Sequence, residues 1–323
     1  MKAVVLAGGY ATRLWPITKH RPKMFLPVGE TTVIDRIFRE LEADERIEEV
    51  FVSTNERFAP DFERYLAESE FEKPVLSVED TTDEDEKFGA VGALAQLVER
   101  EGIDDDLLVV AGDNLIGFDL SEFVDFFERK TGPVLAAYDV GSKEKARSYG
   151  LVELDGDEVV DFQEKPEDPR STLVSIACYA FPRESLRFEE YLENGNNPDE
   201  PGRFIQWLVD QDSETVSAFA FDEAWFDIGT PESYLEAVSW ALGGQGMVDP
   251  GATVTDSVVD EHSLVLEGAT VANSVVRGSV VFPGATVVDS EIHDTIIDEE
   301  TTVENMDLAG ALIGAHTQLT NEE

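Results

Sequence analysis

A single cysteine, Cys178, is all the thiol chemistry available to this chain of 323 residues. An intrachain disulfide and a multi-cysteine metal site are both excluded. Cys178 stands in the apolar run Ile176-Ala177-Cys178-Tyr179-Ala180-Phe181, a pattern that predicts a buried small hydrophobe rather than a reactive thiol. The four histidines, His20, His262, His293 and His316, share no metal-ligand spacing. Positive charge is scarce too, with 24 Lys and Arg against 69 Asp and Glu and a formal net charge of −45. A surface of that sign repels nucleic acid and anionic membranes, so neither is an expected partner. No stretch approaches the length of apolar chain that a membrane-spanning helix needs. The first apolar strand begins at Ala3 with no signal-peptide pattern ahead of it, and the expected location is the cytoplasm.

What remains is ordinary for a folded protein. The hydrophobic share is 42%, enough for a full core, so the acid belongs to an extreme surface and not to a disordered chain. Halophiles use such surfaces, because molar salt screens the self-repulsion, and a haloarchaeal source is expected on that ground.

Up to about residue 240, short apolar runs alternate with helical patterns. Strands are predicted at Val4–Leu6, Val50–Thr54, Val75–Val78, Leu107–Ala111 and Val134–Tyr138. Val33, Ile34, Ile37, Phe38 and Leu41 share one helical face, and Thr31 or Thr32 is placed to cap that helix. Further helices fit Val91–Glu101, Ser121–Arg129 and Pro231–Leu242. Strands separated by helices imply right-handed crossovers and a mainly parallel, Rossmann-like α/β sheet, whose ligands sit beyond the carboxyl ends of the strands. Leu151–Leu154 and Val159–Phe162 read as a hairpin turned by Asp155-Gly156-Asp157.

After residue 245 the texture becomes a repeat. Gly251-Ala252-Thr253-Val254 returns as Gly268-Ala269-Thr270-Val271 and again as Gly284-Ala285-Thr286-Val287, with a weaker copy over Glu300–Leu308 and a remnant at Gly314-Ala315-His316-Thr317. Such coils cannot bury their own inside faces and must stack. Two domains are therefore expected, 1–242 and 247–323, hinged at Gly243-Gly244-Gln245-Gly246.

The chemistry concentrates near the start. The strand Ala3-Val4-Val5-Leu6 empties into Ala7-Gly8-Gly9-Tyr10-Ala11-Thr12-Arg13-Leu14, and Pro22-Lys23-Met24-Phe25-Leu26-Pro27-Val28 follows. A glycine loop after a strand can direct backbone N–H groups at a phosphate chain, and Arg13 and Lys23 add two cations.

Gly8-Gly9-Tyr10-Ala11-Thr12-Arg13-Leu14-Trp15-Pro16-Ile17-Thr18 together with Pro22–Val28 resembles the signature of the sugar-1-phosphate nucleotidylyltransferases, GGxGTRLxPLT followed by PKxxxPV. Ala11 stands where that family usually has glycine. If the position needs positive φ, the extra Cβ costs about 1 kcal/mol. The resemblance implies attack of a sugar 1-phosphate on the α-phosphorus of a nucleoside triphosphate, with release of pyrophosphate. It implies catalytic roles for Arg13 and Lys23, and nucleotide contacts from Leu6, Ala7, Gly8, Gly9, Tyr10, Ala11, Thr12 and Gly89. It further implies sugar-phosphate contacts from Tyr149, Gly150, Glu164, Lys165 and Val174. Asp113, in Gly112-Asp113-Asn114, and Asp227, in Trp225-Phe226-Asp227-Ile228-Gly229-Thr230, match the family's metal carboxylates, which implies Mg²⁺ as cofactor.

The repeat likewise resembles the left-handed parallel β-helix that many family members carry at the C-terminus. It points to a homo-oligomer formed through that domain, or to plain stabilisation. Acetyl transfer, for which such helices can use a histidine, is the weaker reading of His262 and His293. Gly112-Asp113-Asn114 resembles the glucose-1-phosphate thymidylyltransferase branch, so dTTP is the expected nucleotide and glucose 1-phosphate the expected sugar. UTP comes next. A GTP-dependent enzyme, including one that uses mannose 1-phosphate, stays open, as does a silent paralogue that only binds a nucleotide sugar. The acidic run Glu79–Glu86 departs from the glutamine-containing loops of thymidylyl and uridylyl enzymes, and it leaves the base-reading residue unassigned.

Overall fold

The computed structural model describes residues 1–79, 88–211 and 213–321. By its contacts the chain forms two compact units, Met1–Gly9 with Ile37–Trp225, and Tyr10–Arg36 with Phe226–Glu323. The signature loop after Gly9 thus belongs to the same unit as the C-terminal repeat.

The first unit is built on a sheet of β1 (Lys2–Leu6), β2 (Glu49–Asn55), β3 (Pro74–Glu79), β4 (Leu107–Ala111), β5 (Val134–Asp139), β6 (Gly150–Asp155), β7 (Glu158–Glu164), β8 (Leu173–Phe181) and β9 (Ser217–Phe221). Their order is β3-β2-β1-β4-β8-β5-β9-β7-β6. β3, β2, β1 and β4 run parallel, and β5 and β9 are parallel to each other. β8 lies antiparallel to both β4 and β5, so a reversed strand sits in the middle of the sheet. Cys178 lies on this strand, fully buried, and burial pushes its thiol well above the usual range. The hairpin of β6 and β7 forms as its Asp-Gly-Asp turn suggests, with Gly156 at φ +66°.

The helices are α1 (Val33–Ala43), α2 (Ala59–Glu68), α3 (Ala90–Glu101), α4 (Leu120–Glu128), α5 (Lys143–Ala146), α6 (Phe188–Glu193), α7 (Pro201–Val209) and α8 (Pro231–Leu242). Thr32 is the cap of α1. Its N–H and hydroxyl both donate to Asp35, and the Asp35 N–H donates back to the Thr32 hydroxyl. α3, α6 and α7 cover one face of the sheet, where Val91, Leu94, Phe188, Phe204 and Leu208 close over Val4, Val109 and Phe181. None of the helices among the described residues is long and apolar enough to cross a membrane.

In the second unit the repeat folds as three stacked parallel sheets, the architecture of a left-handed parallel β-helix. Register follows the sequence copies: Val254 pairs Val271, Val271 pairs Val287, Val287 pairs Val303, and Val303 pairs Leu319. Val271, Val287 and Val303 fill the axis with Val276, Ile292 and Ile297. One corner of successive coils is turned by Asp256, Asn273, Asp289 and Asn305, all at positive φ. Asx side chains tolerate that conformation better than other L-residues.

Hydroxyl columns complete the stack. Ser290 Oγ donates to the Val288 carbonyl at 2.7 Å and accepts from the Met306 N–H of the next coil at 3.1 Å. Ser274 repeats the arrangement one coil earlier, and Ser263, Ser279 and Thr295 form a second column. Removing a buried hydroxyl strands an N–H that nothing else satisfies, which costs about 1–3 kcal/mol. Ser290→Ala should therefore lower stability by about that amount in urea unfolding, and Ser257→Ala, on the more exposed first coil, by less than half as much. Equal losses would contradict the column as a stabilising device.

Candidate active site

β1 is flanked by β2 and β4 and ends at Leu6. The chain beyond it is held from β2. Ser53 O accepts from the Ala7 N–H at 2.7 Å, Thr54 Oγ1 donates to the Ala7 carbonyl at 3.2 Å, and Asn55 Nδ2 donates to the Gly8 carbonyl at 2.8 Å. Asn55 Oδ1 in turn accepts from the Phe58 N–H, at the start of α2. These buried polar side chains occupy the loop carbonyls that would otherwise repel a phosphate. Sequence reading passed over Thr54 and Asn55; the signal available was a polar triplet closing an otherwise apolar strand.

Gly8 leaves room for Glu79. A Cβ on Gly8 would lie 3.2 Å from Glu79 Oε1, which also accepts from the Ser53 hydroxyl at 2.8 Å. Glu79 is buried, and burial pushes its carboxyl above the ordinary glutamate range, with Ser53 opposing the shift. The rest of the acidic run, Asp80–Glu86, lies outside the described residues. Gly89, at φ +78°, opens α3 against the Pro198 carbonyl, which would be 2.4 Å from an added Cβ and which accepts from the Val91 N–H. The structure thus places Gly89 at a close approach to the Pro198 backbone.

The sugar-side residues of the sequence reading come together in the first unit. Gly150 pairs Glu164 across the hairpin and Ser175 on β8, Val174 pairs Leu151, and the Lys165 N–H donates to the Tyr149 carbonyl. Val174 itself is fully buried, packed with Ala146 and Leu151 behind Tyr149. The Glu164 carboxyl occupies a slot made by two glycines. A Cβ on Gly202 would lie only 1.8 Å from Glu164 Oε2, and one on Gly150 would meet the Phe162 ring at 2.3 Å and the same Glu164 oxygen at 3.0 Å. Burial raises the Glu164 pKa, while Lys165 draws it down. Lys165, held at φ +45°, places Nζ 3.7 Å from Glu164 Oε1 and 2.6 Å from Glu200 Oε1. The hydrogen bond from Lys165 keeps Glu200 below the usual range. Glu200 and Gly202 were not read from sequence, because Pro201-Gly202 at the opening of α7 looks like a plain turn.

An aromatic link joins this slot to Asp113. The Tyr149 ring meets Trp225 edge-on at 5.1 Å, Trp225 Nε1 donates to Asn114 Oδ1, and Asn114 Nδ2 donates to Asp113 Oδ1 at 3.1 Å.

The second unit holds Arg13 and Lys23. Ala11 has φ 49° and ψ 44°, so the family's glycine position does demand the left-handed region here. The strain is held by the Ala11 carbonyl, which accepts from Thr18 Oγ1 at 2.8 Å and from the Leu14 N–H at 3.0 Å. Arg13 is exposed on the following 3-10 turn, Thr12–Leu14. Its guanidinium lies over Gly229: an added Cβ there would be 2.8 Å from Arg13 Nη2 and 3.3 Å from Asp227 Oδ1. The Thr230–Ser233 capping box of α8 fixes this segment. Lys23 is half-buried in a second 3-10 turn, Lys23–Phe25, between buried Pro22 and Met24. Among the described residues no group of three or more His, Cys, Asp or Glu could hold a metal ion, and His262 instead bonds Ser239.

Both glycines invite the same test. On the roles that the resemblance implies for Glu164 and Arg13, Gly202→Ala pushes Glu164 out of its slot and should raise the KM for sugar 1-phosphate at least about tenfold, with the KM for nucleotide unchanged. Gly229→Ala displaces Arg13 and should instead lower kcat about tenfold or more. Steady-state kinetics on both variants, checked for folding by circular dichroism, would contradict these roles if neither parameter moved.

A family model described as Nucleotidyl transferase matches residues 2–242. A protein of Sulfolobus acidocaldarius provisionally named mannose-1-phosphate guanyltransferase is 27% identical over 287 residues, covering 85% of this chain and 76% of its own. A glucose-1-phosphate adenylyltransferase of Rhodopirellula baltica is 28% identical over 288 residues, covering 78% of this chain and 62% of its own. The fold is similar to a crystal structure, with sucrose bound, of a Bacillus anthracis protein provisionally assigned as a glucose-1-phosphate thymidylyltransferase. That likeness has a TM-score of 0.64 at 23% identity, over 75% of this chain and 95% of the other. On the family match, which runs from the first strand to the end of α8, the chain belongs to the nucleotidyl transferase family.

Proposed function

We propose that the protein joins a sugar 1-phosphate to the nucleoside monophosphate part of a nucleoside triphosphate. A phosphate oxygen of the sugar 1-phosphate attacks the α-phosphorus, the bond from that phosphorus to the α,β-bridging oxygen breaks, and pyrophosphate leaves. The observation that carries this reading is the pairing of adjacent residues with opposite chemistry. Glu164 offers a buried carboxyl to sugar hydroxyls, and Lys165, with Nζ 3.7 Å away, offers an ammonium to the phosphate. Arg13 would offset charge on the departing pyrophosphate and Lys23 would bind near the α-phosphorus, since catalysis here is mainly positioning and neutralisation. The resemblance supports Asp113 and Asp227 as the residues that would hold Mg²⁺, and their hard carboxylate oxygens suit that ion. When bound, the ion would neutralise part of the triphosphate charge.

For the substrates, the resemblance supports glucose 1-phosphate and dTTP, with UTP next. Glu79 favours a second reading, a guanine nucleotide. An ionised carboxylate only accepts, and guanine presents the N1–H and N2–H donors side by side, whereas thymine and uracil flank one N–H with two carbonyls. The provisional name of the Sulfolobus relative supports the same choice.

Pyrophosphate release with Mg²⁺ in molar KCl, over dTTP, UTP, GTP, CTP and ATP against several sugar 1-phosphates, tests both readings. A winning pair is expected. If GTP wins, Glu79→Gln should shift preference toward dTTP or UTP by about tenfold or more. A wild-type preference for dTTP would overturn the Glu79 reading alone. Silence across the grid from folded protein would overturn the enzymatic one.

A further inference from the structure

One column of the β-helix buries a carboxylate, and it does so against the signature loop. Val248, Val265, Val281, Ile297 and Ile313 are in register on one sheet, so Asp249, Leu266, Phe282, Asp298 and Gly314 follow one another up the stack at its edge. Leu266 and Phe282 are apolar, and Asp249, on the first coil, is partly exposed and accepts from the Gly251 N–H. Asp298 is an acid at the equivalent place, and it is 2% exposed. Burying a carboxylate is costly unless it is paired.

Its partner comes from the loop that carries Arg13 and Lys23. Arg21 Nη2 lies 2.8 Å from Asp298 Oδ1 and 3.1 Å from Glu299 Oε1. The Arg21 guanidinium also lies over the Phe282 ring, 5.0 Å from its centre, so one coil supplies an aromatic face and the next a carboxylate. The third coil supplies a gap. A Cβ on Gly314 would lie 2.9 Å from Pro16 Cβ, so only glycine admits the proline of the loop. Three successive members of one column are thus shaped to residues 16–21, between the two proposed catalytic cations. Farther along the same segment, the Tyr234 hydroxyl donates to the Pro27 carbonyl at 2.8 Å.

We infer that the β-helix is part of the catalytic apparatus: the Phe282–Asp298–Gly314 column fixes the loop through Arg21 and Pro16, and Arg21 is a positioning residue for Arg13 and Lys23. This rests on the nucleotidylyl-transfer reading above. It goes beyond a role of the β-helix in assembly or stability. The pair is largely buried, so salt should not release it.

Kinetics of Asp298→Asn and Phe282→Leu in the full-length chain test the inference. Asp298→Asn keeps the shape but removes the charge, and Phe282→Leu restores the residue of the preceding coil. With the best substrate pair, Asp298→Asn should lower kcat at least about tenfold, Phe282→Leu about threefold, and the KM for sugar 1-phosphate should stay within about twofold. Arg21→Lys should recover only part of what Arg21→Ala loses, because it keeps the charge but not the planar group that lies over Phe282. An unchanged kcat in folded Asp298→Asn would overturn the inference, as would losses that merely track the fraction unfolded. If Asp298→Asn does not fold, Phe282→Leu decides by the same criterion. An inactive wild type across the whole substrate grid is a different outcome, which defeats the functional reading itself.

Discussion

A chain with a formal net charge of −45 must hold a few cations still among many carboxylates. That constraint governs the active-site segment. Left to itself, a loop bearing Arg13, Arg21 and Lys23 would lean on whichever acid was nearest. The structure assigns the structural cation its own acids: Arg21 goes to buried Asp298 and to Glu299. Arg13 is kept over Gly229 beside Asp227, where the absence of a side chain sets its height. The strained Ala11 and the carbonyl it presents to Thr18 and Leu14 fix where the loop begins to turn.

The same economy of charge operates on the sugar side. Lys165 is engaged by Glu200 at 2.6 Å, and in the proposed reaction a sugar phosphate would compete with that carboxylate for the ammonium. Glu200 holds the lysine in place before substrate arrives, and Arg203, 3.4 Å from its other oxygen, keeps the cluster from being wholly acidic. Glu164 is treated differently. Glycines at 150 and 202 let it sit deep, where burial raises its pKa and leaves a hydrogen-bonding group that water cannot readily reach.

Much of this was legible in the chain itself. β1, β2 and β4 are apolar runs of strand length, and the Thr-x-x-Asp cap of α1 is a local signal. The β-helix register follows the spacing of Gly251, Gly268 and Gly284, because each coil repeats one local conformation. β8 was not legible as a central antiparallel strand, since its apolar sequence suits either direction and only long-range pairing with β4 and β5 decides it. The slot around Glu164 escaped for the same reason: Gly202 is far from Gly150 and Glu164 in sequence, and alone it reads as a turn residue. Asp298 was hidden among many other acids, where one more carboxylate in Ile297-Asp298-Glu299-Glu300 looks like surface. Its burial is a property of the stack, and a composition reading has no access to that.

The central claim is that a sugar phosphate oxygen becomes bonded to the α-phosphorus of a nucleotide. Phosphorus-31 NMR of a reaction mixture containing the winning nucleoside triphosphate and sugar 1-phosphate reads that bond directly. The account predicts two mutually coupled diphosphate resonances from a nucleotide sugar, growing in step with free pyrophosphate. Release of inorganic phosphate without a new diphosphate, or pyrophosphate accompanied only by nucleoside monophosphate, would show hydrolysis in place of transfer and contradict it.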